Sequence, residues 1–225
     1  MSRVAITTDR FEGIAPVYRQ LGLDPVWIPC IRVESAKASV LVQARQAAFE
    51  ADLVLISSVR TVDLLWPDGF MPTTEVAAVG EKTAAAVVAR GGRVVVSGRS
   101  GLADLTAQIG DRLASARVVF PRAAGSDPVT LEVLRREAID LRDFEVYRTV
   151  PVAPDSTQVR AAAFGSPSAV EGWLLSRDFD DLVVGVIGAR TLEAVAQHRP
   201  PEVLAPHPSH ESLAHALASY LEVAV

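Results

Sequence analysis

Two segments 108 positions apart carry residues suited to holding an anion: "AAVGEKTAAAV", Ala77 to Val87, and "GVIGARTLEAV", Gly185 to Val195. Each passes from small or apolar residues into a glycine, Gly80 or Gly188. Two positions that include Lys82 or Arg190 follow, then Thr83 or Thr191 and an apolar helical pattern. A glycine has no Cβ, so the amides of the turn can approach a ligand closely. The threonine can cap the helix or turn its hydroxyl toward the ligand. Unpaired N–H groups and the positive end of the helix dipole make such a turn an anion site. Ser57 and Ser58 in "ISSVRTV", and Ser166 and Ser168 in "FGSPSAV", open helices in the same way.

Cations gather at these loops. Arg60, Arg99, Arg122 and Arg190 lie in or beside them with Lys82, and Arg10 and Arg148 stand near the connections. Charge-assisted hydrogen bonds contribute roughly 1.5–3 kcal/mol each, so several together hold a flexible polyanion. A single loop arginine is commonly solvated and a single Gly-x-x-Thr turn commonly only caps a helix. The doubled pattern is what argues for a site.

Other chemistries fit less well. Neither turn has Walker spacing and no G-x-G-x-x-G follows a strand, so phosphate or nucleotide is the weaker anion. No serine sits in a G-x-S-x-G elbow, and no Cys and His pair suits covalent catalysis. His207, His210 and His215 in "HPSHESLAH" point apart if a helix starts at Ser209, so no metal is expected. The acidic run "RDFDD" reads as a solvated loop. Tyr147, in the connection "EVYRTVP", either packs beneath a linker or projects its phenol into a cleft as a hydrogen-bond donor.

Elements that position these residues follow from the repeat. At the offset of 108, Ile56 to Leu105 falls on Phe164 to Leu213, aligning Ser58 with Ser166, Gly80 with Gly188 and Thr83 with Thr191. Upstream the register drifts but the types agree: "RVAITTDR" matches "RVVFPRAA", each followed by a helical segment and by extended "PVWIPCIRV" or "FEVYRTVPV". Two copies of roughly 110 residues mean two similar domains rather than a solenoid. In the first copy "RVAIT", "DLVLI", "EVAAV" and "RVVVS" read as buried strands, with helices over 36–50, 58–66, 82–90 and 102–113. The second repeats this with "RVVF", "AAAF", "LVVGVI" and "PEVLA" and helices over 128–138, 168–176, 191–198 and 209–221. The alternation predicts an α/β protein of two doubly wound parallel sheets, whose ligands collect at the carboxyl ends of the strands. Pro29 and Pro151 mark Ile28 to Val33 and Tyr147 to Pro154 as the connections between domains.

Composition agrees with a folded enzyme or binding module. The 225 residues are 49% hydrophobic and 22% charged, which excludes disorder. The first 116 residues balance 12 basic against 12 acidic, and the remainder hold 10 against 15. Without a basic stripe, nucleic acid is not an expected partner. No apolar run has the length of a membrane helix, and Met1 to Cys30 lacks the pattern of a signal peptide, so a cytoplasmic protein is expected. The lone Cys30, in "WIPCI", is expected to be buried and structural.

These residues together resemble the uroporphyrinogen III synthase family. The resemblance runs along essentially the whole chain and rests on "ISSVRTV" and "FGSPSAV", "VGEKTAAAV" and "IGARTLEAV", "VYRTVP" and "APHPSHESLAHAL" in that order. It implies a cofactor-free lyase that closes the acidic linear tetrapyrrole hydroxymethylbilane into uroporphyrinogen III, acting as a monomer. It places the family's tyrosine on Tyr147 and its threonine turns on Thr83 and Thr191. It further implies a discontinuous domain of residues 1–33 and 151–225 with residues 34–149 inserted, the two joined by a two-stranded linker with the ligand cleft between them. The repeat alone implies contiguous halves. A non-catalytic tetrapyrrole-binding module of the same fold is the alternative.

Overall fold

A computed structural model describes every residue except Arg99, Ser100, Asp127, Ala224 and Val225. The chain separates into two compact units, one of Met1–Val33 with Thr149–Val225 and the other of Glu34–Arg148. In the discontinuous unit five strands stand in the order β2 (Asp24–Trp27), β1 (Arg3–Ile6), β9 (Ala161–Phe164), β10 (Val183–Val186) and β11 (Val203–Leu204), every pairing parallel. Parallel neighbours need crossovers, and helices supply them. They are α1 (Ala15–Gln20), α7 (Pro167–Leu174) and α8 (Ala189–Ala196), with α9 (His210–Val223) closing the unit.

Alternation along each strand sorts the core into two faces. Ala5 of β1 and Ala162 and Phe164 of β9 pack with Val170 and Trp173 of α7 and Val195 of α8. Their neighbours Val4, Ile6, Ala161 and Ala163 pack with Tyr18 of α1 and Leu213 and Leu217 of α9. Each large apolar side chain fully buried in this way contributes about 1.5–3 kcal/mol. Helices therefore cover both faces, and the strand ends are left to the loops.

The inserted unit repeats the plan. Its sheet runs β3 (Ile31–Ser35), β8 (Asp140–Pro151), β7 (Arg117–Ala123), β4 (Leu53–Ile56), β5 (Glu75–Val79), β6 (Arg93–Gly98). Leu53, Leu55, Ala77 and Phe120 pack with Leu105 and Ile109 of α5 (Leu102–Ile109) and Leu134 of α6 (Pro128–Glu137). Val54, Ile56, Val76 and Ala78 are fully buried on the alternate face, the side served by α2 (Ala38–Glu50), α3 (Val59–Leu65) and α4 (Glu81–Val88).

Matching the two sheets explains the repeat. The order β2-β1-β9-β10-β11 is the order β8-β7-β4-β5-β6 with each strand replaced by its counterpart in the other copy. Contiguous halves do not form, however. Val4 of β1 pairs with Ala161 of β9, 157 positions on, and Leu53 of β4 pairs with Val118 of β7. The opening strand–helix–strand of each copy is thus built into the sheet of the other copy's remainder. Self-similarity records the ancestry of segments but not which copies share a ladder.

Most predicted helices appear within a residue or two of their expected ends. The one expected over 102–113 stops as an α-helix at Ile109, because Gly110 takes φ 54° and the chain continues as a 3-10 turn, Gly110–Arg112. β8 is also longer than expected. Its 12 residues run through Tyr147 to Pro151, so Tyr147 belongs to a strand of the sheet and not to a free connection. Among the described residues no helix is long and apolar enough to cross a membrane.

Candidate functional site at the strand ends

In each unit the chain leaves two adjacent strands in opposite directions, β1 and β9 in one and β7 and β4 in the other. The loops beyond their carboxyl ends therefore diverge, and in open parallel sheets ligands collect at such a point. In the inserted unit Ser57 follows β4 directly, and Ser58 is the N-cap of α3, its Oγ accepting from the Arg60 amide at 3.1 Å. Next to it, β7 ends in a turn where the Ala124 amide donates to Tyr147 O at 2.7 Å and Ser126 Oγ donates to Ala123 O at 2.8 Å. Tyr147 pairs with Ala123 and so lies level with the end of β7.

This brings Arg60 and Tyr147 together. The Arg60 guanidinium carbon stands 5.5 Å from the centroid of the Tyr147 ring, in cation–π range. Tyr147 is only 8% exposed, so its phenol is a held group and not one projecting from a linker. The ring is packed, and it lies level with the end of β7.

The twin glycine turns are less alike than their sequences. Gly80 is the N-cap of α4 with φ 81° and ψ 151°, a conformation essentially restricted to glycine, and its amide donates to Gly98 O at 2.7 Å. Gly188 is the N-cap of α8 with φ 177° and ψ 179°, extended backbone open to any residue. The nearest atom to a Cβ at Gly188 would be Pro208 Cβ at 3.8 Å. Neither threonine caps its helix. Thr83 and Thr191 are the third helical residues, their amides donate to Gly80 O and Gly188 O at 3.1 Å, and they are 5% and 3% exposed. The glycines occupy the cap positions, and the threonines are buried in the first turn of each helix.

In the discontinuous unit Ser166 is the N-cap of α7, its Oγ accepting from the Ala169 amide at 3.3 Å, and Ser168, the second helical residue, is half-buried. Two placements here lacked a sequence signal. Thr7 at the end of β1 is fully buried and donates its hydroxyl to Ala163 O at 2.8 Å, pinning the two diverging strands together. His210 at the start of α9 lies against Gly165, where a Cβ would come 3.0 Å from its Nε2. A "TT" directly after a buried strand was the only available hint of the first.

The predicted cations divide. Lys82 and Arg190, each second in its helix, are exposed. Arg122 is buried, its Nε donating to Asp143 Oδ2 at 2.8 Å and its Nη1 to Glu145 Oε1 at 2.9 Å. Its charge is engaged by two carboxylates of the neighbouring strand, so it does not present a cation to a ligand. Arg148 likewise donates to Glu34 at 2.8 Å. Arg99 lies outside the described residues. Among the described residues no three His, Cys, Asp or Glu side chains converge as metal ligands. Cys30 is buried, and burial pushes its thiol up to about 12 despite the opposing charge of Arg177. That is an inert thiol.

Known proteins share this fold. The family model described as "Uroporphyrinogen-III synthase HemD" matches residues 12–215. The fold is similar to the crystal structure of uroporphyrinogen-III synthetase from Helicobacter pylori, with a TM-score of 0.72 at 17% identity over 98% of this chain and all of that one. It is also similar to a mutant uroporphyrinogen III synthase from the extremely thermophilic bacterium Thermus thermophilus, with a TM-score of 0.64 at 16% identity over 99% of this chain and all of that one. No curated protein sequence matches the chain.

Proposed function

The chain belongs to the uroporphyrinogen-III synthase family, and from that premise we propose that it closes hydroxymethylbilane into uroporphyrinogen III with inversion of the last pyrrole ring and loss of water. One observation carries the reading: both units present a serine-capped and a glycine-capped helix start at the same two strands, Ser58 and Gly80 in one, Ser166 and Gly188 in the other. Such starts bind anions through backbone N–H groups. The linear tetrapyrrole carries an acetate and a propionate arm on each pyrrole, so repeated, sequence-tolerant carboxylate sites suit it.

The chemistry needs little acid strength. Departure of the hydroxyl leaves an electrophilic azafulvene. The substituted carbon of the last ring attacks it to form a spiro intermediate, which reopens and closes with that ring turned over. Unassisted closure gives the symmetric isomer, so the protein's task is to hold one carbon and not another near the electrophile. Positioning of this kind lowers barriers by about 7–11 kcal/mol at its best. Tyr147 is assigned the hydrogen bond to the departing hydroxyl, with Arg60 across its ring fixing the phenol. Ser57, Ser58, Ser166, Ser168, Thr83 and Thr191 line the carboxylate turns, and Lys82 and Arg190 add charge. Arg122 has no place in this assignment.

Purified protein given hydroxymethylbilane, with products oxidised and their isomers separated, is expected to yield the type III isomer above the spontaneous type I background. Type I alone from well-folded protein replaces this reading with a non-catalytic tetrapyrrole-binding module.

A further inference from the structure

Trp27 is 53% exposed, yet its ring is held in place. It is the last residue of β2, an edge strand, and pairs with Ile6 at the carboxyl end of β1. Its Nε1 donates to Thr8 O at 3.0 Å. Phe11, from the loop after β1, stacks on it with centroids 6.2 Å apart and planes at 27°. Arg19 in turn lies 5.8 Å from the Phe11 centroid. Indole, phenyl and guanidinium form a layered stack at the strand-end edge of the discontinuous unit.

Burial does not explain this arrangement. An exposed indole fixed by a hydrogen bond on its edge and a ring on one side has lost its rotamer freedom without the compensation of leaving water. Phe49 and Phe70 are also exposed, and neither stacks on another ring among the described residues. Trp27 alone of these stands where parallel sheets collect ligands. Beside it Arg10 of the loop and Arg19 of α1 are exposed, as is Glu12, and the Thr8 hydroxyl donates to Asp9 at 3.2 Å.

We infer that Trp27, backed by Phe11, is a stacking platform for one pyrrole ring of the acidic tetrapyrrole, a subsite that orients a ring while the amide turns hold its carboxylate arms. Flat π-faces pair in offset stacks, and a pre-oriented one costs no ordering when the ligand arrives. The identity of the ring rests on the synthase reading; the platform itself rests on the geometry above.

Trp27 provides its own signal, because Trp66 and Trp173 are 3% and 1% exposed. Acrylamide is expected to quench Trp27 in the free protein and to lose that access when uroporphyrinogen III, kept reduced, is added. Trp27→Ala is expected to weaken uroporphyrinogen III binding about three- to tenfold and to raise KM more than it lowers kcat. Trp27→Phe, which keeps a stacking face but not the indole N–H, is expected to restore most of the affinity. Continued acrylamide access to Trp27 in a saturated complex, or unchanged binding by a folded Trp27→Ala protein, overturns the platform even where the wild type makes the type III isomer. Protection of Trp27 in a protein that makes only type I keeps the platform and overturns the synthase reading.

Discussion

Gly172→Ala sets two physical effects of opposite sign against each other. Gly172 lies within α7, where alanine is favoured over glycine by about 1 kcal/mol. A Cβ at this position, however, would stand 1.9 Å from Cys30 O, 2.8 Å from Cys30 C and 2.9 Å from Val152 O. These are backbone atoms and cannot rotate aside. The Val152 amide donates to Cys30 O at 2.9 Å, so the helix packs directly on a backbone hydrogen bond between the two segments that bound the discontinuous unit. To bring the contact to 3.0 Å the helix must retreat about 1.1 Å. A gap of that size forfeits a quarter to a half of the dispersion well for the side chains it lifts, including Trp173 and Val170. Overpacking of this kind costs about 1–3 kcal/mol or more, and disturbing the Cys30–Val152 bond adds about 1 kcal/mol. After subtracting the helix gain, the expected net loss is about 1–3 kcal/mol, a fall in Tm of roughly 2–12 °C. Calorimetry or circular dichroism on the purified variant measures it directly. An unchanged or raised Tm would mean that helix propensity dominates and that the close packing of α7 is not a constraint.

Other perturbations test separate links. Tyr147→Phe is expected to lower kcat about 10- to 100-fold, the loss of one strong hydrogen bond in the transition state, with Tm within about 2 °C of wild type; an undiminished kcat removes Tyr147 from the chemistry. Gly80→Ala is expected to destabilise by about 1–3 kcal/mol because of its φ, whereas Gly188→Ala changes stability by less than about 0.5 kcal/mol; the reverse order refutes the asymmetry of the twin turns. Asp52 is held down to about 2 by hydrogen bonds from the Arg117 side chain and amide. A depressed carboxyl stabilises the fold above its unfolded value of 3.8 and loses that contribution as pH falls toward 2. Asp52→Asn should therefore flatten the pH dependence of stability between those values, and an unaltered slope there counts against the pair.

How much of this was legible in the residues themselves differs by length scale. Buried strands such as Leu53–Ile56 and Ala161–Phe164 announce themselves as short apolar runs, and serine caps such as Ser58 and Ser166 are local chemistry. The engagement of Arg122 was not legible. Its partners Asp143 and Glu145 lie on the next strand, and only the β7–β8 register, which pairs Arg122 with Glu145, brings them to it. Arg60 and Tyr147 meet for the same reason, through the order of β4, β7 and β8. The difference between Gly80 and Gly188 is hidden in a dihedral angle that identical letters do not record. Trp27 read as part of an extended apolar stretch, and its exposure follows from β2 being an edge strand.

The exchange of opening segments between the repeats has a consequence for synthesis on the ribosome. Val4, Ala5 and Ile6 are made long before their partners, and the flank of β1 that meets Ala161–Ala163 stays unpaired until some 155 further residues have been added. At about 5–20 residues per second that interval is roughly 8–30 s. During it the inserted unit, whose sequence is continuous, can complete its own core. The nascent β1 strand meanwhile keeps one flank of its ladder unpaired.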